Sequence, residues 1–424
     1  MPKRPDKSLT VEDFTENAEI LQLMDELRED LDGKEYSDVV DDEGRQYVDL
    51  VMEGGGVLGI ALVGYTWVLE EMGIRFLGVA GTSAGSINAL LLAALDTRDQ
   101  KKAVRILELL ANLDMYSFVD GDDDARDFID AALGGAGKFK LAIKGAQIVD
   151  NITDHLGLNP GSVFHHWLTT SLGGAGIRTL RGLRDRLEHS PDGLARRDGD
   201  AYTLRDPDDL LGVITAEITT ETKVQLPRMA PLFWEDPDEV NPADFVRASM
   251  SIPFFFHPYR VDGIPQGPEA WARWKEMVSY TGKVPLECVF VDGGIVSNFP
   301  IDVFHAPDKV PAAPTLGVKL GKDRQKLREV DGPGKFAGAI FDAARHTLDY
   351  DFIIRNPDYR NLVAAIDTRH HHWLNFEMAP SEKVDLFVLG AKRAGRFLRD
   401  FDWAGYKKVR EGLKAGFEAA PAGG

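Results

Sequence analysis

The chain has 424 residues, of which 44% are apolar and 28% charged, and its net charge is −19. That length fits one large α/β domain with insertions or two ordinary domains, and the negative charge argues against nucleic acid as a general partner. We expect no transmembrane helix, because no apolar run reaches about 18 residues, and no signal peptide, because the amino terminus lacks an apolar core. The single cysteine, Cys288, excludes an internal disulfide framework and indicates a reducing compartment. We therefore expect a cytoplasmic protein, with export by a route without a cleaved signal left open.

Residues 1–46 form a polar, acid-rich N-terminal extension. Within it, Ile20, Leu21, Met24 and Leu27 recur at helical spacing, which predicts an amphipathic helix over this segment. We expect that helix either to pack on the outside of the main body or to form a mobile arm.

Alternating strand and helix patterns follow, beginning with YVDLVM at 47–52, which predicts a buried strand. A glycine cluster comes next, then a helical stretch from about Leu58 to Met72 that Gly73 ends. IRFLGVAG predicts a second strand, and 86–94 predicts a second helix with an apolar face. Strand, helix, strand and helix in this order are typical of a parallel sheet with right-handed crossovers. The pattern therefore predicts an α/β fold.

The rest of the chain divides into an insertion, further strands and a C-terminal region. Residues 96–205 predict a helical insertion that partly covers the site, with helices near 100–113, 160–172 and 177–188. Strand patterns return at 210–220, in VQLP, at 287–294 and at 315–320, which closes the predicted catalytic domain, 47–320. Residues 321–424 predict a helical region packed on the same domain, with one helix from about Gly334 to Ile354 and two more after Ser381.

The glycine cluster after the first strand has three interpretations. Gly54, Gly56 and Gly59 satisfy the dinucleotide-binding pattern G-x-G-x-x-G between a strand and a helix. That fold needs an acidic residue at the end of the second strand to hold a ribose, whereas this strand ends in VAGTS. The cluster therefore favours an oxyanion hole, in which backbone N–H groups point at developing negative charge near a helix N-terminus. A purely structural glycine turn remains the alternative.

A serine stands at the second corner between strand and helix. Gly81-Thr82-Ser83-Ala84-Gly85 matches the G-x-S-x-G nucleophile elbow, in which small neighbours permit strained backbone angles at the serine. The pattern alone often occurs by chance, but its position after another glycine-rich corner strengthens it. We predict Ser83 as a nucleophile and the N–H of Ala84 as a donor to the oxyanion.

A serine hydroxyl needs a base to become nucleophilic. An α/β-hydrolase would supply an acid and then a histidine, and Asp292 with His305 or His346 could fill those roles. None of the ten histidines stands in an obvious strand-end glycine context, whereas Asp292 ends a predicted strand and precedes Gly293 and Gly294. An aspartate at a carboxyl strand end can take the serine proton directly if the pocket is dry. A turn aspartate that caps the next segment is the structural alternative.

Three motifs, EGGGVLG, GTSAG and DGG, resemble in this order those of the patatin-like phospholipases. The segments LNPGSVFHHWLTTSLGGAGIRTLRGL, LLGVITAEITTETKVQLP, VRASMSIPFFFHP and VDGGIVSNFP are similar as well, so the likeness spans roughly residues 47–320. It implies serine acyl hydrolysis by a serine–aspartate dyad without a catalytic histidine. It also implies a three-layer α/β/α fold with a mainly parallel central sheet, related to acyl-carrier transacylases rather than to α/β-hydrolases.

The resemblance implies roles for individual residues. Ser83 would be the nucleophile and Asp292 the general base, and the oxyanion hole would come from Gly54, Gly55 and Gly56. Five further glycines support the motifs: Gly59, Gly81, Gly85, Gly293 and Gly294. Family members commonly carry Arg or Lys at the position of Leu58, so this chain lacks a cation that would add to the oxyanion field or contact a phosphate.

These observations predict a hydrolase of (phospho)lipid acyl esters that works through an acyl-enzyme on Ser83 with Asp292 as general base. An acyltransferase or thioesterase on the same scaffold is one alternative. A low-turnover regulatory lipid-binding protein is another, and Leu58 favours it. We expect no metal or cofactor, since the acidic loop DGDDDARD lacks the glycine and terminal glutamate of a calcium loop. The sequence does not determine an oligomeric state.

Two apolar segments bear on the lipid substrate. One could line an acyl groove or simply pack in the core, and its residues are Ile252, Phe254, Phe255 and Phe256. The other is a helical stripe of Leu180, Leu183 and Leu187 beside Arg178, Arg181 and Arg184. That stripe could make transient contact with a membrane surface, or belong to an ordinary insertion helix with solvated arginines.

Overall fold

The computed structural model describes residues 8–122, 155–321, 352–368 and 370–419, together with the single positions 327, 330, 339 and 343. Within these ranges, no helix combines the length and the apolar character that crossing a bilayer requires. Most of the helix predicted from about Gly334 to Ile354 lies outside the described residues, and so does the acidic loop from residue 123 onwards.

Strands and helices alternate through the first half of the described chain. The strands are β1 (Val39–Val40), β2 (Gln46–Met52), β3 (Ile74–Thr82), β4 (Gly157–Asn159), β5 (Ala195–Arg196), β6 (Leu211–Glu217), β7 (Thr222–Leu226), β8 (Phe254–Phe256), β9 (Tyr259–Asp262), β10 (Glu287–Asp292), β11 (Thr315–Leu320) and β12 (Val363–Ile366). The helices are α1 (Val11–Thr15), α2 (Ala18–Asp30), α3 (Gly59–Glu71), α4 (Ala84–Ala94), α5 (Ala103–Ala111), α6 (Ser162–Gly174), α7 (Leu180–Glu188), α8 (Pro242–Ser249), α9 (Pro268–Val278), α10 (Pro380–Asp400) and α11 (Trp403–Ala419).

A mixed sheet forms the centre of the molecule. Five neighbouring strands, in the order β12-β11-β2-β3-β6, run parallel to one another. The outer strands β7, β9 and β10 are antiparallel to their neighbours, and β1 joins β2 in the same way. The predicted α/β fold with a mainly parallel central sheet is confirmed.

Helices α3 and α10 pack tightly together beside the sheet. Almost the whole of α3 is buried, which suits a helix that is apolar on every side. Glycines permit the close approach, because a Cβ on Gly64 would lie 2.0 Å from the Phe387 carbonyl oxygen and one on Gly390 would lie 1.9 Å from that of Ala61. Helix α4 contacts α3 and packs on β3. The connections β2-α3-β3 and β3-α4-β6 lead in the same direction along the sheet, so right-handed crossovers place both helices on the same face.

The N-terminal extension packs on the body rather than forming a free arm. Ile20, Met24 and Leu27 on α2 are buried, and α2 contacts α10. Leu21 of the same predicted apolar group instead faces solvent, with 49% of its surface exposed. The extension also contributes β1 to the sheet, a strand that the polar sequence did not predict.

The sequence predicts a helical C-terminal region, but the described part of this region also contains a strand. It contributes β12, which pairs in parallel with β11 at the edge of the sheet. This short strand, VAAI, alternates half-buried and buried residues and has no strong β-forming run. The predicted end of the catalytic domain at residue 320 therefore separates two strands that belong to one sheet.

Candidate active site

Ser83 lies at a sharp corner between β3 and α4. Its backbone angles, φ 50° and ψ −119°, are strained for a residue with a side chain. The flanking glycines make the corner possible, since a Cβ on Gly81 would lie 2.4 Å from the carbonyl carbon of Gly85. One on Gly85 would lie 2.2 Å from the Met52 carbonyl oxygen. The geometry is that of a nucleophile elbow.

Strands β3 and β10 meet end to end along one edge of β6. Strand β7 occupies the other edge along residues 213–217, so β3 and β10 must share the first. On that edge Thr82 pairs with Ile214, and Asp292 pairs with the next residue, Thr215. Measured along β6, the two strand ends are thus about one residue, roughly 3.3 Å, apart. Ser83, which follows Thr82, is thereby brought next to Asp292.

Asp292 ends its strand, as predicted. That strand, β10, is antiparallel to β6, so it meets the end of β3 from the opposite direction. The Asp292 carboxylate accepts the Gly294 N–H at 2.7 Å, which fixes the side chain at the turn. Gly293 must be a glycine here, because a Cβ would lie 2.1 Å from the Ile214 carbonyl oxygen.

The end of α8 and the loop after it hold both predicted dyad residues. The Ser83 N–H donates to the Ser249 hydroxyl at 2.9 Å, and that hydroxyl donates in turn to the Ile214 carbonyl at 2.6 Å. The Asp292 N–H donates to the Ser251 carbonyl at 2.8 Å. The family resemblance includes this segment, VRASMSIPFFFHP, but predicts no such role for it. Only its small, buried serines could have drawn attention to it.

The glycine cluster faces the serine, with one change to the predicted set of donors. A Cβ on Gly54 would lie 3.2 Å from that of Ser83, so the two corners are in contact. However, the Gly54 N–H donates to the Asn298 carbonyl at 3.0 Å, so Gly54 is wrong as an oxyanion donor in this conformation. Among the described residues, no acceptor bonds the N–H groups of Gly55, Gly56 or Ala84. Those three remain the candidate donors.

An apolar cavity opens in front of Ser83. Its volume is about 610 Å³, including space open to solvent, and Ser83, Ala84 and the turn at Gly56 form one wall. The other walls come from α5, α6 and the loop after α8, with Leu110, Phe118, Phe164, Trp167, Met250 and Ile252 among the lining residues. The apolar character of these walls suits an apolar ligand.

The FFF segment is divided between surface and core. Ile252 lines the cavity, which agrees with the prediction that this segment could line an acyl groove. Phe256 is buried, and the half-buried Phe255 stacks on Phe376 with ring centroids 5.2 Å apart. Phe254 is 64% exposed and has a positive φ of 66°.

The histidine candidates lie elsewhere or outside the described residues. The His305 Nδ1 is 2.7 Å from the Tyr359 hydroxyl, and its ring packs on Phe352 and Tyr359. Burial is the main cause that lowers the pKa of His305. His346 is not described. Within the described ranges, no group of three or more His, Cys, Asp or Glu side chains could hold a metal ion.

Leu58 and helix α7 are both buried against the body. Leu58 is only 6% exposed and belongs to the hydrophobic core. The leucines of α7 are buried as well, so the proposed membrane-facing stripe is not on the surface. Arg184 pairs with Asp208 and Asp238 rather than facing solvent alone.

The sequence of the chain is similar to a protein family and to a bacterial relative. The family model described as patatin-like phospholipase matches residues 50–305. An uncharacterized protein of Bacillus subtilis (strain 168), YqhO, is 28% identical over 362 residues, covering 84% of this chain and all of the relative.

Two solved structures are also similar. VipD from Legionella pneumophila has a TM-score of 0.39 and 14% identity, covering 86% of this chain and 70% of its own. Full-length ExoU from the type III secretion system of Pseudomonas aeruginosa, solved in complex with SpcU, has a TM-score of 0.33 and 15% identity. That match covers 84% of this chain and 53% of the other.

Proposed function

Because this chain belongs to the patatin-like phospholipase family, we propose that it hydrolyses fatty-acyl esters of lipids through an acyl-enzyme on Ser83. Asp292 would act as the general base. The observation that carries the proposal is the meeting of β3 and β10 on one edge of β6, which brings these two residues together beside an apolar cavity.

Acylation begins when the Asp292 carboxylate takes the proton of the Ser83 hydroxyl. The Ser83 Oγ attacks the ester carbonyl carbon, and the carbonyl oxygen becomes negative. The free N–H groups of Gly55, Gly56 and Ala84 would stabilise it, and each such donor is worth about 3 kcal/mol in the transition state. The protonated aspartate then gives its proton to the departing alcohol, which leaves an acyl-enzyme.

Deacylation repeats the same proton transfers with water. Asp292 takes a proton from water, and the hydroxide attacks the acyl-enzyme carbonyl. As the bond to Ser83 Oγ breaks, the proton held by Asp292 returns to the serine, and a fatty acid is released. The apolar walls of the cavity would exclude other water and hold the acyl chain.

A labelling experiment tests the nucleophile. A fluorophosphonate probe should label the wild-type protein at Ser83, and Ser83→Ala should abolish both labelling and acyl release. Acyl release would be measured on phospholipids, lysophospholipids and neutral lipids, since the site does not distinguish among them. Unlabelled protein, or label on another residue, would contradict the proposal.

A second experiment tests the base. Asp292→Asn should lower acyl release by about 10²–10⁴-fold, the usual contribution of a general base. His305→Ala serves as the control and should retain activity, because its ring packs on Tyr359. If Asp292→Asn kept full activity and His305→Ala lost it, a catalytic triad with His305 would replace the proposed dyad. Transfer of the acyl group to an added alcohol in preference to water would indicate an acyltransferase.

A further inference from the structure

A second, wider groove adjoins the apolar cavity. It lies between α5 and α6 on the insertion, and its volume is about 1250 Å³, including space open to solvent. Its lining surface is largely apolar, with Leu95, Leu109 and Val163 among the residues that contribute. Val163 is 41% exposed, so part of this apolar surface faces solvent.

Three residues line both the cavity at Ser83 and this groove: Leu113, Phe118 and Trp167. The rings of Phe118 and Trp167 have centroids 5.8 Å apart, and Phe164 lies 5.3 Å from Phe118. These side chains form an apolar neck between the two spaces. Because the same side chains have one surface in each space, the groove and the cavity are adjacent, with the neck between them.

We propose that the groove between α5 and α6 binds the distal part of a long substrate acyl chain, which passes from Ser83 through the neck at Leu113, Phe118 and Trp167. This inference rests on the proposed function and specifies its substrate class as long-chain acyl esters. The ester carbonyl is fixed at Ser83, so the chain direction is fixed, with its methyl end in the groove.

The chemistry of the path supports an acyl chain as the occupant. From Ser83 outward the walls are aliphatic and aromatic, through Ile87 and Leu110 to Leu113 and the neck. The charged residues of the groove are exposed or already paired, since Arg105 forms a 2.9 Å ion pair with Asp96. An unbranched hydrocarbon is a ligand that the largely apolar lining of both spaces suits.

Two adjacent glycines on α6 provide a matched test. Gly174 lines the far part of the groove and Gly173 does not. A Cβ at either position would meet no atom within 4 Å, so a larger side chain has room at both. Gly174→Trp should therefore fill the end of the groove, while Gly173→Trp changes the same helix without touching it.

The readout is binding of saturated fatty acids of increasing length, which displace a fluorescent dansyl fatty acid from the Ser83→Ala protein. Without Trp substitution, affinity should rise roughly four-fold per methylene until the groove is filled. Gly174→Trp should stop this rise at a shorter chain, and Gly173→Trp should not. Thr170→Trp, about 6 Å nearer the neck along α6, should stop it at a shorter chain still. Thr170 is exposed, so this variant also replaces Gly174→Trp if the latter fails to fold.

Several results would overturn the proposal. These are no fatty-acid binding, an unchanged plateau in both groove variants, or an equal shift in Gly173→Trp. The first two would also be the outcome if another part of the chain fills the groove. Binding requires no turnover, so these results differ from a failure of the proposed hydrolase, which would appear as absent fluorophosphonate labelling at Ser83.

Discussion

The Ser83 N–H donates a 2.9 Å hydrogen bond to the hydroxyl of Ser249, a residue 166 positions further along the chain. Ser249 is fully buried, and its hydroxyl proton is committed to the Ile214 carbonyl at 2.6 Å. The hydroxyl therefore links the corner at Ser83 to the centre of β6. Since the backbone at Ser83 is strained, it needs such external contacts to persist.

Ser249→Ala should weaken both stability and catalysis. It leaves the buried Ser83 N–H without its partner and removes one donor from the Ile214 carbonyl, so the free energy of unfolding should fall by about 1–3 kcal/mol. The rate of fluorophosphonate labelling should fall as well, because the corner loses a constraint. Urea unfolding and labelling kinetics measure the two effects.

Ser86→Ala is the control for Ser249→Ala. The Ser86 hydroxyl is also buried and donates to the Ser83 carbonyl at 2.6 Å. That carbonyl keeps two other donors, the N–H groups of Ser86 and Ile87. The control should therefore label nearly as fast as wild type. Equal losses in the two variants would show that Ser249 has no special role.

Substitution of the glycine cluster should be position-dependent. Gly56 has a φ of +55°, and a Cβ would lie 2.2 Å from the Trp373 carbonyl oxygen. Gly56→Ala should therefore cost about 1–3 kcal/mol in backbone strain and move the donor N–H groups, lowering acyl release by about 10²–10³-fold. Thermal unfolding and an acyl-release assay measure these effects.

Gly55→Ala is the milder neighbour of that variant. Gly55 has an extended backbone, and its nearest obstacle is the Leu320 Cδ1 at 2.5 Å, the end of a flexible side chain. The leucine can shift, so activity should fall less than in Gly56→Ala. A larger loss in Gly55→Ala would mean that Gly55, rather than Gly56, controls the placement of the donors.

Arg247 should be a strong determinant of stability. Its guanidinium donates to the Ser251 hydroxyl at 2.7 Å and to the Pro160 and His257 carbonyls at 2.6 and 2.9 Å. Arg247→Ala removes the guanidinium donor from all three groups and should lower the free energy of unfolding by about 3 kcal/mol. Urea denaturation measures the loss.

An exposed arginine on β9, Arg260, is the control for Arg247. Arg260 pairs with Glu287, and both side chains are well exposed. Arg260→Ala should change the free energy of unfolding by less than about 1 kcal/mol. Similar values for the two arginine variants would mean that the buried hydrogen bonds of Arg247 add little.

His305 should make stability depend on pH. Burial is the main cause that holds the pKa of His305 below its ordinary value of about 6.5, with Arg410 adding to the effect. Below that pH the unfolded chain binds a proton that the folded protein resists. The stabilising contribution is therefore present above about pH 6.5 and is lost as pH falls through the lower folded pKa.

Thermal melts between pH 8 and pH 5 measure this dependence. Wild-type protein should lose more stability on acidification than His305→Gln, which cannot titrate there. Loss of the Tyr359 contact should lower the stability of the variant at all pH values, so the comparison concerns the slope. Parallel melting profiles would contradict the assignment.

The elements that carry a strong local pattern could be predicted from sequence. The run YVDLVM is apolar except for Asp49 and became β2, and the G-x-S-x-G corner became the turn between β3 and α4. Short elements such as β12 and β1 could not, because two to four residues hold too little periodicity to distinguish a strand from a loop. Their pairing partners supply the stabilisation instead.

By itself, the sequence determined the chemistry available at the two corners, a serine among small residues and an aspartate before two glycines. Only the tertiary structure decided how they meet, because side-chain alternation has the same period whichever way a strand runs. Thus β10 proved antiparallel, and its end abuts β3 along β6. The tertiary structure also determines two hydrogen bonds, from the Gly54 N–H to the Asn298 carbonyl and from the Ser83 N–H to the Ser249 hydroxyl. Both join residues that are far apart in the chain.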